Sequence, residues 1–462
     1  MDDKPVFVVT GPPNKGKSSL VSALINDDRV EIDERAGTTT KSVEYPIKVD
    51  GETMLAIWDT PGFENVRQLK EILLDWGIKE SGKDNLELFR RFCHEYRDDR
   101  DFHNEIEILT PIVMFGGMIV YVVDSSVPYS DSQYLHEIEI IKMTGLPRIA
   151  ILNPIDGSDE LEEWRTHLKE HFSLIKVFNP YKTTFDERLR LFDAFSHLES
   201  IWEERIHKTI EYLKRNRENV LHDSANIISV TVLEVYHSKY QVPCDNLKTE
   251  ADHIKLLFIE LEEKVRRIFD KRKNEIVNLF GYRKIPVNAS YELKESNVLQ
   301  KTSIKKYLSP NQKALIGAVV GASAGATVDV TLLGGGLGAP TVLGTIIGAG
   351  VGYLKDFDPV NIIKGVSKTG RMYKVDKLKP ELGFIIINCF RELITLLYNK
   401  SAADREPIKI NYDYDKKTTY KFVHIMNKVI KESNLDLYSD NVKTELRRVV
   451  QDQLVQDNKM VN

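Results

Sequence analysis

An α/β domain with a mostly parallel sheet, followed by a mainly α-helical C-terminal region, is the architecture that this 462-residue sequence predicts. The first observation is a set of short, continuous apolar runs, which are typical of strands buried on both faces of a parallel sheet. The second is that helical patterns, such as 131–143 and 159–171, lie between these runs. The third is the charged helical periodicity that begins near residue 186 and resumes near residue 380. The predicted strands are 5–10, 53–58, 117–124, 148–153 and 173–178.

Shifts in composition divide the chain into four predicted parts. They are an α/β domain at 1–200, a charged helical region at 201–312, a glycine-rich hairpin at 313–356 and a helical C-terminal region at 357–462. Within the first part, the stretch 64–110 is unusually long, charged and helix-like. We interpret it as an enlarged switch or lid rather than a core element.

The overall composition excludes several classes of protein. Apolar residues make up 42% and charged residues 29%, which excludes a wholly disordered, collagen-like or multi-pass membrane chain. The net charge of −5 argues against a nucleic-acid coat, and we expect no DNA partner. Cys93, Cys244 and Cys389 are widely spaced and odd in number, which predicts neither a disulfide framework nor a zinc site. Together with an N-terminus that has no signal-peptide pattern, this favours a cytoplasmic protein.

The first apolar run ends in a glycine-rich loop, GPPNKGKS at 11–18, which fits the pattern G-x-x-x-x-G-K-[ST]. Glycines let successive backbone N–H groups turn towards a polyphosphate, and the following helix adds the positive end of its dipole. In this pattern Lys17 reaches the β- and γ-phosphates, and the Ser18 hydroxyl ligates Mg²⁺. A chance Gly/Lys loop is the alternative, but the position of the loop between a strand and a helix favours nucleotide binding.

Two further motifs follow in the order expected of a nucleotide switch. DTPG at 59–62 ends the second run, where Asp59 can hold Mg²⁺ and the Gly62 N–H can meet the γ-phosphate. AGTTT at 36–40 places Thr39 where its hydroxyl can reach the metal only when the γ-phosphate is present. The predicted catalytic residues are therefore Lys17, Thr39 and Gly62, and the predicted Mg²⁺ ligands are Ser18, Thr39 and Asp59.

The fourth apolar run is followed by NPID at 153–156, where GTP-binding proteins read guanine with an N-K-x-D pattern. Asp156 can accept hydrogen bonds from the N1 and N2 groups of guanine, and Asn153 can brace the loop. Pro154 stands in place of Lys, so the aliphatic stem that covers the base is missing, and we expect affinity to suffer more than specificity. A plain Asn-Pro turn is the alternative. NPY at 179–181 lies where a further base-contacting loop belongs, although its match is weak.

In this order, GPPNKGKSS, AGTTT, DTPG and NPID resemble the motifs of the TrmE–Era–EngA–septin-like branch of small GTPases, over about residues 1–180. The resemblance implies a P-loop NTPase G domain, with helices on both faces of its sheet, that binds GTP or GDP with Mg²⁺. The predicted nucleotide-binding residues are Gly11, Asn14, Lys15, Gly16, Lys17, Ser18, Ser19, Asn153 and Asp156.

Two residues bear on the rate of hydrolysis that the resemblance implies. Phe63 follows DTPG where Ras-like proteins place the water-orienting Gln, so we expect slow intrinsic hydrolysis. Asn14 occupies the position that ligates K⁺ in some relatives, which implies stimulation by K⁺ or by self-association. Hydrogen bonding within the loop is the alternative role of Asn14.

The segment 314–354 is a glycine zipper, with 11 of the 26 glycines in the chain. Glycines repeat every four residues and so line one face of each arm of a predicted hairpin, 314–331 and 340–354. Each arm is about 22 Å long, which is short of a hydrocarbon core of about 30 Å. Lysines flank both arms and would keep the two ends on an anionic, cytoplasmic membrane face. Burial in a helical domain, insertion into or contact with a membrane, and an oligomerisation surface remain open.

The whole chain is similar to a group of bacterial GTPases that join such a G domain to a helical C-terminal region containing a zipper. The similarity extends to FNPYKTTFDERLRLF, GASAGATVDVTLLGGGLGAPTVLG and the FIIINCFRELITLL region. It implies a GTP-hydrolysing switch that is coupled to a membrane or a membrane-protein partner, or that self-associates through the G domain or the zipper. The alternatives are a ribosome- or RNA-associated GTPase, and an interaction protein that binds nucleotide with little turnover.

Overall fold

A mostly parallel sheet is the framework of the N-terminal part of the chain in the computed structural model. Among the described residues, six strands form this sheet in the order β2-β3-β1-β4-β5-β6. All neighbours are parallel except β2 and β3, which are antiparallel. The strands are β1 Val6–Thr10, β2 Val43–Val49, β3 Glu52–Asp59, β4 Met118–Asp124, β5 Arg148–Asn153 and β6 Leu174–Val177.

The chain divides into two compact units, of which the first contains this sheet. The structure describes residues 4–32, 39–79, 82–129, 132–155, 160–244, 250–288, 360–367, 370–378, 380–409, 416–433, 435 and 437–459. The first unit consists of Met1–Glu218, Gly281–Lys284 and Asn399–Arg405. The second consists of Asn219–Phe280, Ile285–Tyr398 and Glu406–Asn462. Two short segments from the C-terminal region therefore belong to the first unit.

Helices cover both faces of the sheet and create two apolar cores. The face that includes Val6 and Val8 of β1 is covered by residues of the segment between β3 and β4, and by Trp164 and Leu168. The opposite face includes Phe7 and Val9 and packs against the helix that follows β1 and against Phe192 and Phe195. The helices of this unit are α1 Lys17–Ile25, α2 Val66–Asp75, α3 Leu86–Glu95, α4 His103–Phe115, α5 Ser132–Met143, α6 Leu161–Leu168 and α7 Phe185–Ser196. The sequence prediction of a mostly parallel sheet with helices on both faces is confirmed.

The described part of the stretch 64–110 forms α2, α3 and the first half of α4, and many of its apolar residues are buried in the core. Leu69, Phe89, Phe92 and Ile108 are each 0% exposed. Our interpretation of this stretch as an enlarged switch or lid is therefore wrong in excluding it from the core. The reason is that α2 and α3 are amphipathic, so their many charges lie on one side while a narrow apolar stripe packs inward.

The second unit is mainly helical, as the sequence predicts, and it also contains short strands. Helix α8, Glu203–His237, begins in the first unit and ends in the second, where α9 Glu250–Leu279, α10 Pro380–Asn399, α11 Lys416–Glu432 and α12 Asp440–Lys459 follow. In the described residues, β7 Gln241–Pro243, β10 Gly370–Leu378 and β9 Val360–Ser367 form a sheet in that order. The strands β8 Val287–Asn288 and β11 Ile408–Lys409 pair in parallel. The glycine zipper at 313–356 lies outside the described residues.

Helix α10 is the apolar centre of the second unit. The stretch Leu382–Asn399 is long and apolar enough to cross a membrane, with a mean hydropathy of 1.3, but 61% of it is buried within the protein. Phe390 stacks on Phe269 of α9 with ring centroids 4.3 Å apart. Arg391 forms a two-pronged ion pair with Asp457 of α12, at 2.7 and 2.8 Å. These contacts are those of a core helix.

Candidate nucleotide-binding site

The loop between β1 and α1 has the backbone geometry of a phosphate-binding loop. Gly16 has φ +88°, and a Cβ there would lie 2.4 Å from Asn153 Nδ2, so only glycine fits. Asn14 is exposed and also left-handed, with φ 58°, a conformation that asparagine tolerates. No described side chain caps the N-terminus of α1 at Gly16. The first N–H groups of this helix are therefore left for an anion.

Lys17, which is predicted to reach the β- and γ-phosphates, is buried next to this loop. It is only 7% exposed, and its Nζ donates to the carbonyl oxygen of Pro12 at 2.9 Å. Burial lowers the pKa of Lys17 to about 8, while the negative charges of Asp59 and Glu137 act in the opposite direction. A cation this poorly solvated has a strong tendency to pair with an anion that enters the loop.

The three predicted Mg²⁺ ligands converge at the start of α1. Ser18 Oγ lies 3.2 Å from Thr39 Oγ1. Asp59 is 3% exposed at the end of β3, and its Oδ1 has no hydrogen-bond partner among the described residues. Burial raises the pKa of Asp59 to about 6, although the Ser18 hydroxyl and the charge of Lys17 lower it. Two hydroxyls and a buried carboxylate with an unused oxygen are the hard oxygen ligands that Mg²⁺ prefers, so the residues fit this ion.

The DTPG segment packs directly against the phosphate loop. The Thr60 hydroxyl donates to the carbonyl oxygen of Val9 at 2.7 Å. A Cβ at Gly62 would lie 2.6 Å from the backbone nitrogen of Pro13, so a larger residue would push the two segments apart. Phe63 is 1% exposed and belongs to the apolar core. Its side chain therefore cannot orient a water molecule.

Asn153 joins the end of β5 to the phosphate loop. It is fully buried, and its Nδ2 donates to the carbonyl oxygen of Lys15 at 3.1 Å, which is the bracing contact expected of this residue. Lys15 Nζ in turn lies 3.2 Å from Asp124 Oδ2, at the end of β4. The predicted guanine-reading Asp156 lies outside the described residues, as do residues 36–38 of the AGTTT motif.

The loop after β6 is fixed to the loop after β5. Asn179 Nδ2 donates to the carbonyl oxygen of Pro154 at 3.0 Å, and Asn179 Oδ1 accepts from the backbone N–H of Tyr181, also at 3.0 Å. Ser19 Oγ, in the first turn of α1, donates to the hydroxyl oxygen of Tyr181 at 3.3 Å. Ten of the predicted residues lie at the carboxyl ends of neighbouring strands or in the first turn of α1: Gly11, Asn14, Lys15, Gly16, Lys17, Ser18, Ser19, Asp59, Gly62 and Asn153. Thr39 precedes β2, whose first residue pairs with Asp59 at the end of the antiparallel β3.

Sequence reasoning missed the start of α4, which holds the first switch, defined here as the described residues 39–42. His103 Nε2 lies 2.8 Å from the carbonyl oxygen of Thr40. Glu107 accepts the backbone N–H of Ser42 at 2.6 Å, and the Ser42 hydroxyl donates to the carbonyl oxygen of Glu107 at 2.6 Å. These contacts fix the backbone directly after Thr39.

The same turn of α4 also holds the second switch, residues 59–65. Asn104 Nδ2 donates to the carbonyl oxygen of Gly62 at 3.2 Å. Glu105 is 0% exposed, and its Oε1 accepts the N–H groups of Glu64 and Asn65 at 2.8 and 2.6 Å. Burial raises the pKa of Glu105, against the effect of these two bonds. One helical turn therefore contacts both segments that should respond to the γ-phosphate.

A second set of missed residues comes from the two C-terminal segments of this unit. The carboxylate of Asp28, which is 0% exposed, accepts the N–H groups of Arg283 and Lys284 at 2.7 and 2.5 Å. Arg405 donates to the Ser22 hydroxyl at 3.2 Å and to the carbonyl oxygen of Val30 at 2.9 Å. Ser401 Oγ donates to the carbonyl oxygen of Pro180 at 2.5 Å. The end of α1 and the loop after β6 are thus supported by residues far away in the sequence.

Comparison with known proteins identifies the class of the N-terminal domain. Residues 6–153 match the family described as "50S ribosome-binding GTPase". GTPase Der of Agathobacter rectalis is 41% identical over 77 residues, which are 17% of each chain. The tRNA modification GTPase MnmE of Christiangramia forsetii is 28% identical over 174 residues, 36% of this chain and 30% of that protein. This chain therefore spans less than a third of the length of these curated relatives.

A solved structure of an Aquifex aeolicus Era variant bound to GDP·AlF4⁻ is also similar, at 16% identity and a TM-score of 0.27, covering 60% of this chain and 98% of that one. The N-terminal domain is a P-loop GTPase domain of the type found in Der and MnmE. Residues 165–456, more than half of the chain, match a second family, described as domain of unknown function DUF3482. The chain belongs to this DUF3482 family and carries its characteristic region directly after a bacterial-type GTPase domain.

Proposed function

We propose that this chain binds GTP with Mg²⁺, hydrolyses it to GDP and phosphate, and passes the nucleotide state to its helical C-terminal region. The observation that carries the proposal is the convergence of Ser18, Thr39 and the buried Asp59 carboxylate beside Lys17. These residues come from three separate sequence motifs. Their convergence at the uncapped start of α1 supports a polyphosphate–metal site over a chance loop.

Each residue of the site has a distinct role in this proposal. Backbone N–H groups of the loop and the Lys17 ammonium bind the β- and γ-phosphates. Ser18, Thr39 and Asp59 hold Mg²⁺, which, when bound, neutralises charge that develops on the phosphate oxygens. The Gly62 N–H contacts the γ-phosphate. Because Thr39 and Gly62 are the contacts that depend on this group, hydrolysis releases both switches at once.

The intrinsic rate is expected to be slow. Phe63 is buried where Ras-like proteins place the water-orienting side chain, so positioning of the attacking water depends on other groups. Asn14, exposed in the phosphate loop, is our proposed ligand for K⁺, which would add positive charge near the β- and γ-phosphates. Its left-handed backbone is a structural reason for asparagine that does not depend on K⁺, so the ion has to be tested directly.

The start of α4 supplies the route by which the two switches act together. His103 and Glu107 bind the first switch, and Asn104 and Glu105 bind the second. If either switch moves when the γ-phosphate is lost, these hydrogen bonds must either break or move the start of α4 together with the switch. We propose that α4 passes this displacement to the rest of the chain.

Turnover of GTP by the purified chain tests the proposal. Wild-type protein should hydrolyse GTP only with Mg²⁺, faster in K⁺ than in Na⁺, whereas Lys17→Ala should be inactive. Lys48→Ala, an exposed lysine on β2, is the matched control and should retain wild-type turnover. Equal rates in K⁺ and Na⁺ would remove the role of K⁺. Tight GTP binding without turnover would instead indicate the alternative of a nucleotide-binding interaction protein.

An RNA- or ribosome-associated GTPase is the second candidate, because the family that matches residues 6–153 is described as ribosome-binding. Co-sedimentation with 50S subunits in the presence of a non-hydrolysable GTP analogue tests it. A third proposal is that the zipper contacts an anionic membrane from the cytoplasmic side. Flotation with vesicles that contain anionic lipid tests this directly, with a chain lacking 313–356 as control.

A further inference from the structure

Tyr181 belongs to the loop after β6, and its hydroxyl contacts the first turn of α1, next to the phosphate loop. Tyr181 is 44% exposed, so solvent or a ligand can reach it. Its hydroxyl oxygen accepts a hydrogen bond from Ser19 Oγ at 3.3 Å. Ser19 directly follows the metal ligand Ser18, so the ring of Tyr181 reaches the first turn of α1 from the loop after β6.

The backbone that carries this ring is tightly fixed. Asn179 binds the Tyr181 N–H with its side-chain oxygen and the Pro154 carbonyl with its side-chain nitrogen. The buried Ser401 donates to the carbonyl oxygen of Pro180 at 2.5 Å. Hydrogen bonds therefore fix the loop that carries the ring, although the ring itself is exposed to solvent.

Strand order gives the direction in which a bound nucleotide runs. Two of the proposed metal ligands, Asp59 and Ser18, lie at the end of β3 and in the first turn of α1. The strands β4, β5 and β6 follow in order on the other side of β1. Ligands of such sheets bind outside the carboxyl ends of the strands. With the γ-phosphate beside Gly62, after β3, the base end of the nucleotide points towards the loops after β5 and β6, where Tyr181 lies.

We infer that Tyr181 supplies the surface on which the base of the bound nucleotide stacks, in place of the aliphatic stem that is absent at Pro154. The inference rests on the proposed function, since it needs a nucleotide in the site. An aromatic ring stacks on any base because every base has a π-face. Tyr181 therefore contributes affinity, while discrimination between bases depends on hydrogen-bonding groups elsewhere in the site.

The test compares Tyr181→Ala and Tyr181→Phe with wild-type protein, using GDP and inorganic tripolyphosphate as ligands, each with Mg²⁺. Tyr181→Ala should weaken GDP binding about tenfold to a hundredfold. It should leave tripolyphosphate binding unchanged, because this ligand has no base. Tyr181→Phe keeps the ring and should stay within about threefold of wild type, since it loses only one long, partly buried hydrogen bond, at 3.3 Å. Tyr212→Ala, a partly exposed tyrosine on α8, is the matched control.

Three results would overturn the inference while leaving the proposed function intact. They are GDP binding by Tyr181→Ala equal to wild type, an equal loss of GDP and tripolyphosphate binding, and a loss in Tyr181→Phe as large as that in Tyr181→Ala. The last would assign the effect to the hydroxyl rather than to the ring. Wild-type protein that binds neither ligand would instead end the proposed function, and this inference with it.

Discussion

The phosphate end of the site and the residues that support it differ in origin. The phosphate end consists of Lys17, Ser18, Thr39, Asp59 and Gly62, which lie within 46 positions of one another and belong to recognisable motifs. The supporting residues are the α4 turn 103–107 and the segments 281–284 and 399–405, which follow no motif. Two of these three supports come from the part of the chain after residue 280. The difference teaches that the residues proposed to bind phosphate lie close together in the sequence, whereas the residues that support them come from distant segments.

Among the supporting residues, substitution of Asp28 should have the largest effect on stability. Asp28→Ala removes the buried carboxylate that accepts the N–H groups of Arg283 and Lys284, which should lower the free energy of unfolding by about 2–4 kcal/mol. All four tryptophans of the chain, at positions 58, 76, 164 and 202, lie in the first unit. Tryptophan fluorescence during urea unfolding therefore reports on this unit alone.

Two control variants distinguish the loss of the hydrogen-bond acceptor at position 28 from the loss of its negative charge. Asp28→Asn keeps one acceptor oxygen and should cost less than Asp28→Ala. Asp75→Ala, an exposed aspartate at the end of α2, should be close to neutral. If Asp28→Ala is no more destabilising than Asp75→Ala, the segment 281–284 does not support the end of α1. The claim that residues distant in the sequence support the site would then be wrong for this segment.

A smaller effect is expected at Ser401, which supports only the base end. Ser401→Ala removes the hydrogen bond to the Pro180 carbonyl, which is worth about 1 kcal/mol. If this bond holds the loop after β6 in its nucleotide-binding position, GDP affinity should fall roughly fivefold. Tripolyphosphate affinity should not change. Ser238→Ala, which loses a similar bond to Glu234 in the second unit, is the control. A parallel loss of tripolyphosphate affinity would show that the two ends of the site are not supported separately.

The smallest effect is a pH dependence at Glu105. Its folded-state pKa is raised above the ordinary value of 4.5 by burial, so the folded protein takes up this proton before the unfolded chain does. The contribution of Glu105 to stability therefore rises as the pH falls through its folded pKa and levels off below 4.5. Glu105→Gln keeps the acceptor for the second switch but cannot titrate. As the pH is lowered from about 8 to about 5, the free energy of unfolding of wild type should increase relative to that of Glu105→Gln. A difference between the two proteins that does not change with pH would contradict the prediction.

The parts of the fold that the sequence predicts are those with local causes. The strands β1, β3, β4, β5 and β6 follow continuous apolar runs, and the phosphate loop follows from glycines at fixed positions. The edge strand β2 was not predicted, because Pro46 and a mostly exposed pattern disguise it. The burial of α2 and α3 was obscured by their charges.

The missed contacts have a different cause. Asp28 and Arg283 are 255 positions apart, and Val30 and Arg405 are 375 positions apart. Neither pair carries a spacing pattern, because tertiary folding alone brings them together. The start of α4 was missed for a related reason, since His103, Asn104, Glu105 and Glu107 bind backbone atoms, and backbone partners leave no complementary residue in the sequence.

The most direct test of the central claim is the effect of Mg²⁺ on the affinity for a non-hydrolysable GTP analogue, measured by calorimetry on wild-type protein and on Ser18→Ala. If Ser18, Thr39 and Asp59 form the metal site beside the γ-phosphate, Mg²⁺ should raise the affinity of wild type at least about tenfold, and Ser18→Ala should lose most of this gain. GDP, which lacks the γ-phosphate, should show a smaller gain. Equal affinities with and without Mg²⁺ in wild type, or no measurable binding of either nucleotide, would contradict the account.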